Sequence, residues 1–183
     1  MSNKFFNFYY DPVRQGYDTN TWSTLLGVPA IVSNKLQLVN AGAIHFADLL
    51  RGEAIFNVTM PEPANTHDMA FGFIEYNKNA WARFRINDEN VIAEISNGGT
   101  DDFELCAWNS DWNDAPVEFK IKWEAGMVTF SIGGEMKWQT TDRINIEGDP
   151  MSLYVYNNTA AAVPMDVSYI IAKGVQSSTL KVF

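Results

Sequence analysis

The chain has 183 residues, 46% of them hydrophobic, 14% aromatic and 19% charged, which suits one globular domain with a sizeable core and excludes a disordered chain. Its net charge of −9 and pI of about 4.6 repel phosphate backbones and anionic lipid surfaces, so neither nucleic acid nor a membrane is expected as a partner. Cys106 is the one cysteine, which excludes an intramolecular disulfide.

The first residues, MSNKFFNFYYDPVRQ, hold no apolar core segment and no small-residue cleavage site, and no stretch of the chain approaches the ~18 apolar residues of a membrane span. The expectation is synthesis in a cytoplasm without the usual export, with carriage inside a virion or other assembled particle as a route outward. The sequons at Asn57 and Asn157 then carry no meaning for glycosylation. The whole chain, 1–183, reads as one domain: an irregular aromatic N-terminal segment over 1–30, a β-sandwich over 31–175 and a tail over 176–183.

Period-two alternation, the mark of half-buried strands, dominates from residue 35 onward. KLQLV (35–39) sets Leu36 and Leu38 on one face. AIHFADLLRG (43–52) is the best helical candidate, one or two turns ending at Gly52. EAIFNVTM (53–60) alternates through Ala54, Phe56, Val58 and Met60. MAFGFIEY (69–76) is apolar on both faces and reads as a central strand. AWARFRI (80–86) sets Ala82, Phe84 and Ile86 against Trp81, Arg83 and Arg85. VIAEIS (91–96) and FELCAW (103–108) follow. Val117, Phe119, Ile121 and Trp123 then alternate with Glu118, Lys120 and Lys122. EAG turns the chain, and Val128, Phe130 and Ile132 resume the apolar face. Gly133 and Gly134 suit a tight hairpin, and Met136 and Trp138 continue the spacing. SLYVYN (152–157) and MDVSYIIA (165–172) complete the set. Turn chemistry separates these segments at PEPANTHD, NKN, NDEN, NGGTDD, NSDWNDAP and EGDP. Strands at this spacing predict an all-β, two-sheet antiparallel sandwich.

KLQLV, GEAIFNVTM, FGF with AWARFRI, the hairpin FKIKWEAGMVTFSIGG and the closing MDVSYIIAKGV together resemble concanavalin-A-like lectin and glucanase domains over roughly residues 30–175. The resemblance implies a jelly roll with one concave sheet. Members include glycosidases, lectins and proteins that only hold assemblies together, so the residues must decide the function.

Glycoside cleavage usually needs two carboxylates facing one sugar bond. The resemblance implies that a glucanase carries them close together on one strand and one face. No strand here does so: Glu75, Glu94 and Glu104 each stand alone, while Asp88–Glu89 and Asp101–Asp102 read as turn residues. His45 and His67 lack a neighbour at ligand spacing, and Cys106 reads as a buried, inert thiol. The expectation is therefore a protein that is not an enzyme.

Sugar recognition combines aromatic faces with planar polar side chains. Two places offer that mixture. In AWNSDWNDAP, Trp108 and Trp112 flank Asn109, Asp111, Asn113 and Asp114, as a lid over the core or as a ligand platform. On AWARFRI, Trp81, Arg83 and Arg85 share one face, which either binds ligand or is a solvated sheet surface. The resemblance implies a structural Ca²⁺ as cofactor, and hard cations need clustered oxygens. Its candidate ligands are Asp166, which starts the final strand where the resemblance implies a ligand, with Asp111 and Asp114 as alternatives. The leading expectation is a non-catalytic module binding carbohydrate. The alternative is a structural protein, such as a phage virion decoration or tail component, using the aromatic N-terminus as a contact and able to form a homo-oligomer.

Overall fold

Alternation sets the strands. Val117, Phe119, Ile121 and Trp123 are buried while Glu118 and Lys122 are exposed, as a strand with one core face requires. The computed structural model describes residues 4–64, 66–75, 80–87, 89–99, 101–124, 126–141, 150–159 and 162–176. Its strands are β1 (Lys4–Tyr10), β2 (Ser23–Leu26), β3 (Ala30–Val32), β4 (Lys35–Leu38), β5 (Ala41–Thr59), β6 (Asp68–Glu75) and β7 (Trp81–Asn87). They continue as β8 (Asn90–Ser96), β9 (Asp101–Cys106), β10 (Pro116–Glu124), β11 (Met127–Ile132), β12 (Glu135–Thr141), β13 (Met151–Asn157) and β14 (Met165–Gln176). The pairings among them are antiparallel.

Two leaves share the long strand β5. Its second half lies between β10 and β14 in a leaf ordered β12–β11–β10–β5–β14–β1. Its first half lies between β2 and β13 in a leaf ordered β2–β5–β13–β6–β7–β8–β9. The core rings meet between the leaves. Phe84 approaches Phe119 at 5.1 Å and Phe130 at 5.3 Å edge-on, and Phe71 meets Phe119 at 5.0 Å. Where β5 passes β14, Gly52 faces Gly174. A Cβ on either would lie 2.4 or 2.3 Å from the opposing backbone oxygen, so the close approach requires glycine at both.

Several expectations from the sequence are corrected. Residues 43–52 are strand, not helix: they belong to β5, whose alternation is interrupted at Asp48 (φ 49°). The N-terminal segment is not irregular throughout. β1 closes the first leaf against β14, with Phe6, Phe8 and Tyr10 packed on the core and Phe5 and Tyr9 facing outward. Its own sandwich is thus the host for most of those rings. Met136 leaves the apolar face because the register shifts between Phe130 and Ser131; it is exposed, whereas Trp138 stacks on Phe130 at 5.4 Å. Gly133 (φ 59°) and Gly134 (φ 84°) form the expected hairpin turn. The expected tail beyond Gln176 lies outside the described residues. Asn157 is a buried strut: its amide donates to the carbonyls of Leu38 (2.7 Å) and Val163 (2.8 Å), and its oxygen accepts from the Thr159 amide.

His45 stacks on Phe8 at 4.2 Å, and its Nδ1 lies 2.8 Å from the Thr21 carbonyl. Burial holds its pKa below the ordinary histidine value, only partly offset by the Thr21 bond, and burial lowers His67 likewise. The unfolded chain therefore takes up protons first as pH falls below about 6.5, so histidine-linked stability is present above that value and lost on acidification. The melting temperature is expected to fall between pH 7.5 and pH 5.5, and to fall less in His45→Gln. A flat profile across that window, read by calorimetry, contradicts the assignment.

Candidate functional site

The outer face of the second leaf carries the chemistry. Register across β5, β13, β6, β7, β8 and β9 lines up Ile44, Tyr154, Gly72, Arg83, Glu94 and Phe103 in one rung. The next rung is Gly42, Tyr156, Ala70, Arg85, Ile92 and Leu105. On the other side lie Ser152, Ile74, Trp81, Ser96 and Asp101. Paired residues of an antiparallel sheet share a face, so all of these look the same way. Ile44, Ala70, Ile74 and Tyr154 form a second buried cluster there, with Leu25, Trp81 and Tyr156 packed on it. A cavity of about 360 Å³ opens over this cluster, lined also by Asp68, Arg83 and Arg85.

Arg83 organises the centre. Its Nε donates to Glu94, its Nη1 donates to the Tyr154 hydroxyl at 3.3 Å, and its guanidinium lies 4.3 Å over the Trp81 ring. Burial works against its charge, yet Tyr154 and Glu94 hold its pKa above the ordinary arginine value. Burial also pushes the Tyr154 phenol up to about 12, against the pull of Arg83. The reach from β7 to β13 crosses Gly72 on the strand between. Gly72 sits at φ 152°, and a Cβ there would lie 2.7 Å from Arg83 Cα and 2.9 Å from Arg83 Cβ. Only glycine leaves that span open. The Trp81 indole N–H is buried and has no hydrogen-bond partner among the described residues.

Of the two aromatic groupings expected from sequence, the structure places Trp81, Arg83 and Arg85 on the cavity and the other group elsewhere. Trp108 and Trp112 are half-buried against the core and meet edge-on at 5.4 Å. Trp108 donates to Asn113 at 2.6 Å, Lys137 lies over Trp112, and Asn109 caps a short 3-10 turn by accepting from the Asp111 amide. These residues form the lid alternative and do not line the cavity. The calcium set also separates. Asp114 and Asp166 line a different cavity with His67, and Asp111 lies outside it. Among the described residues, no three His, Cys, Asp or Glu side chains gather as metal ligands, so the three expected carboxylates do not form one site.

Sequence reasoning missed four members of the face. Tyr154 and Tyr156 come from an apolar strand with no visible polar role, and Phe103 and Asp101 come from β9. Asp101 and Asp102 are strand residues rather than turn residues, which places Asp101 on the same face as Glu94. Glu104 and Glu75, paired with the core positions Ala93 and Met151, face the other way.

No protein-family profile and no curated protein matches the sequence. Solved structures match its fold. The laminarinase catalytic domain from Thermotoga maritima superimposes with a TM-score of 0.74 at 10% identity, over 95% of this chain and 99% of that one. The endo-β-1,3-glucanase from Pyrococcus furiosus gives 0.73 at 9% identity, over 96% of each. A Bacillus licheniformis β-glucanase gives 0.66 at 10% identity, over 93% of this chain and 98% of that one. These neighbours are enzymes. They correct the expectations of a non-catalytic binding module, of a protein that is not an enzyme, and of a virion decoration or tail component. The expected architecture stands: the chain is an antiparallel β-sandwich with the concanavalin-A-like jelly-roll fold.

Proposed function

We propose that the protein acts on a glycan chain lying across the strands of the second leaf, from the cavity toward Phe103. The observation that carries this reading is the rung from Tyr154 through Gly72, Arg83 and Glu94 to Phe103. It sets aromatic rings at both ends of an Arg–Glu pair on one continuous face. Aromatic faces suit the apolar face of a sugar ring, and planar polar groups suit its hydroxyls. Phe103 is 62% exposed on this face, open to a ring stacked on it. The glucanase and laminarinase neighbours support a glycan by analogy of fold.

The chemistry assigned to the face is cleavage of a glycosidic bond between Glu94 and Asp101. These residues are diagonal neighbours on adjacent strands, about 7–8 Å apart at the backbone. A backbone spacing of this size lets the carboxyl groups reach the separation of about 6.5–9.5 Å that inverting glycosidases use, which leaves room for a water between base and sugar. In that geometry one carboxyl protonates the leaving oxygen and the other activates the water. The test incubates the purified chain with polysaccharides and measures both retention and new reducing ends. The expected result is reducing-end release that falls more than tenfold in Asp101→Asn, an exposed position whose change leaves the fold intact by circular dichroism. Retention without new reducing ends removes the carboxylate pair from the chemistry. The absence of both retention and release overturns the whole reading.

A further inference from the structure

Two arginines reach the cavity, and they differ. Arg83 is engaged by Glu94 and Tyr154. Arg85 is half-buried, and no carboxylate pairs with it among the described residues. Its direct cross-strand neighbours are Ala70 and Ile92, both apolar. Of the two diagonal carboxylates, Glu94 is engaged by Arg83, and Asp68 lines the cavity without an ion pair to Arg85. Arg85 lines the same cavity as Tyr154 and Tyr156. A partly covered guanidinium without an ion partner leaves its donors open to an anion. Its planar fork matches the paired oxygens of a carboxylate or a sulfate. The buried indole N–H of Trp81 is a further donor without a partner in the same lining.

We infer that the cavity takes an acidic glycan, with a carboxylate or sulfate substituent seated on Arg85 and the sugar ring against the partly exposed Tyr156. The inference rests on the glycan reading above. It also runs against the overall charge: a chain of net charge −9 repels polyanions in general. Retention of an acidic polysaccharide therefore reports a local cation and not a diffuse field.

The experiment is affinity electrophoresis of the full chain in native gels containing laminarin (neutral), polygalacturonate (carboxylate) or dextran sulfate (sulfate), at low and high salt. The expected result is at least tenfold stronger retardation by one or both acidic polymers than by laminarin, weakening with salt. Arg85→Gln is expected to lose that preference. Which acidic polymer retards the chain distinguishes the two substituents. Equal or stronger retardation by laminarin overturns the inference and leaves the glycan reading standing. An acidic preference that survives in Arg85→Gln overturns the assignment to this cavity. No retardation in any gel overturns the inference and the glycan reading together. Thermal unfolding of Arg85→Gln, expected to stay within a few degrees of the parent, separates loss of binding from loss of fold.

Discussion

Replacing Arg83 by methionine is expected to lower the unfolding free energy by about 3–5 kcal/mol. Both members of the Arg83–Glu94 pair are largely covered, with side chains 18% and 13% exposed. The single change strands the Glu94 carboxylate on a face where Arg83 is its ion partner. The Tyr154 hydroxyl loses a donor and the Trp81 ring loses the cation above it. The control is the double variant Arg83→Met/Glu94→Leu, which removes both charges and is expected to recover most of the loss. Urea unfolding of the parent, both single variants and the double variant closes the cycle. A single-variant loss below about 1 kcal/mol places the pair among solvent-screened surface bridges instead.

Phe84→Ala is expected to cost about 3–5 kcal/mol, the range for emptying a large buried aromatic site. Phe84 is fully buried, and its ring contacts Phe71 on its own leaf and Phe119 and Phe130 on the facing leaf. The hole would open directly beneath the backbone that holds Arg83 and Arg85, the outward neighbours of Phe84 on β7. Glycan retention is therefore expected to weaken along with stability, though no surface residue has changed. A stable Phe84→Ala with a loss under about 1 kcal/mol would mean that the neighbouring rings collapse into the space.

The sandwich was legible where one face is apolar and the other polar, as along Val117–Trp123 and its hairpin partner Val128–Ile132. It was also legible on β7, where Trp81, Arg83 and Arg85 were assigned to one face and share the cavity. It failed where alternation is masked. In β5 the run from Ala41 to Ile44 is buried on both faces, and the left-handed residue Asp48 interrupts the period, so the apolar spacing imitates a helix turn. In β1 aromatic side chains occupy the outward face as well, at Phe5 and Tyr9, and the pattern reads as irregular. The site suffered from a different limit. Tyr154 joins Arg83 only because β13 pairs with β6, and Asp101 joins Glu94 only through the register of β9, and no local pattern encodes either pairing. For the tryptophan loop the sequence left a lid over the core and a ligand platform both open, because a local pattern does not show which way the rings turn. There the asparagines cap a turn and accept an indole hydrogen bond while the rings cover the core.

The pairing of Lys4 with Gln176 has a consequence for how the protein is made. β1 docks on β14, roughly 160 residues further along the chain. Until β14 has been made, Phe5, Phe6, Phe8, Tyr9 and Tyr10 have no strand to receive them, while the two halves of β5 wait for β10, β13 and β14. Contacts between such distant parts of a chain form slowly, and unpaired aromatic strands associate with one another in the meantime. The β1–β14 register thus sets folding against self-association for as long as β1 waits for its partner strand.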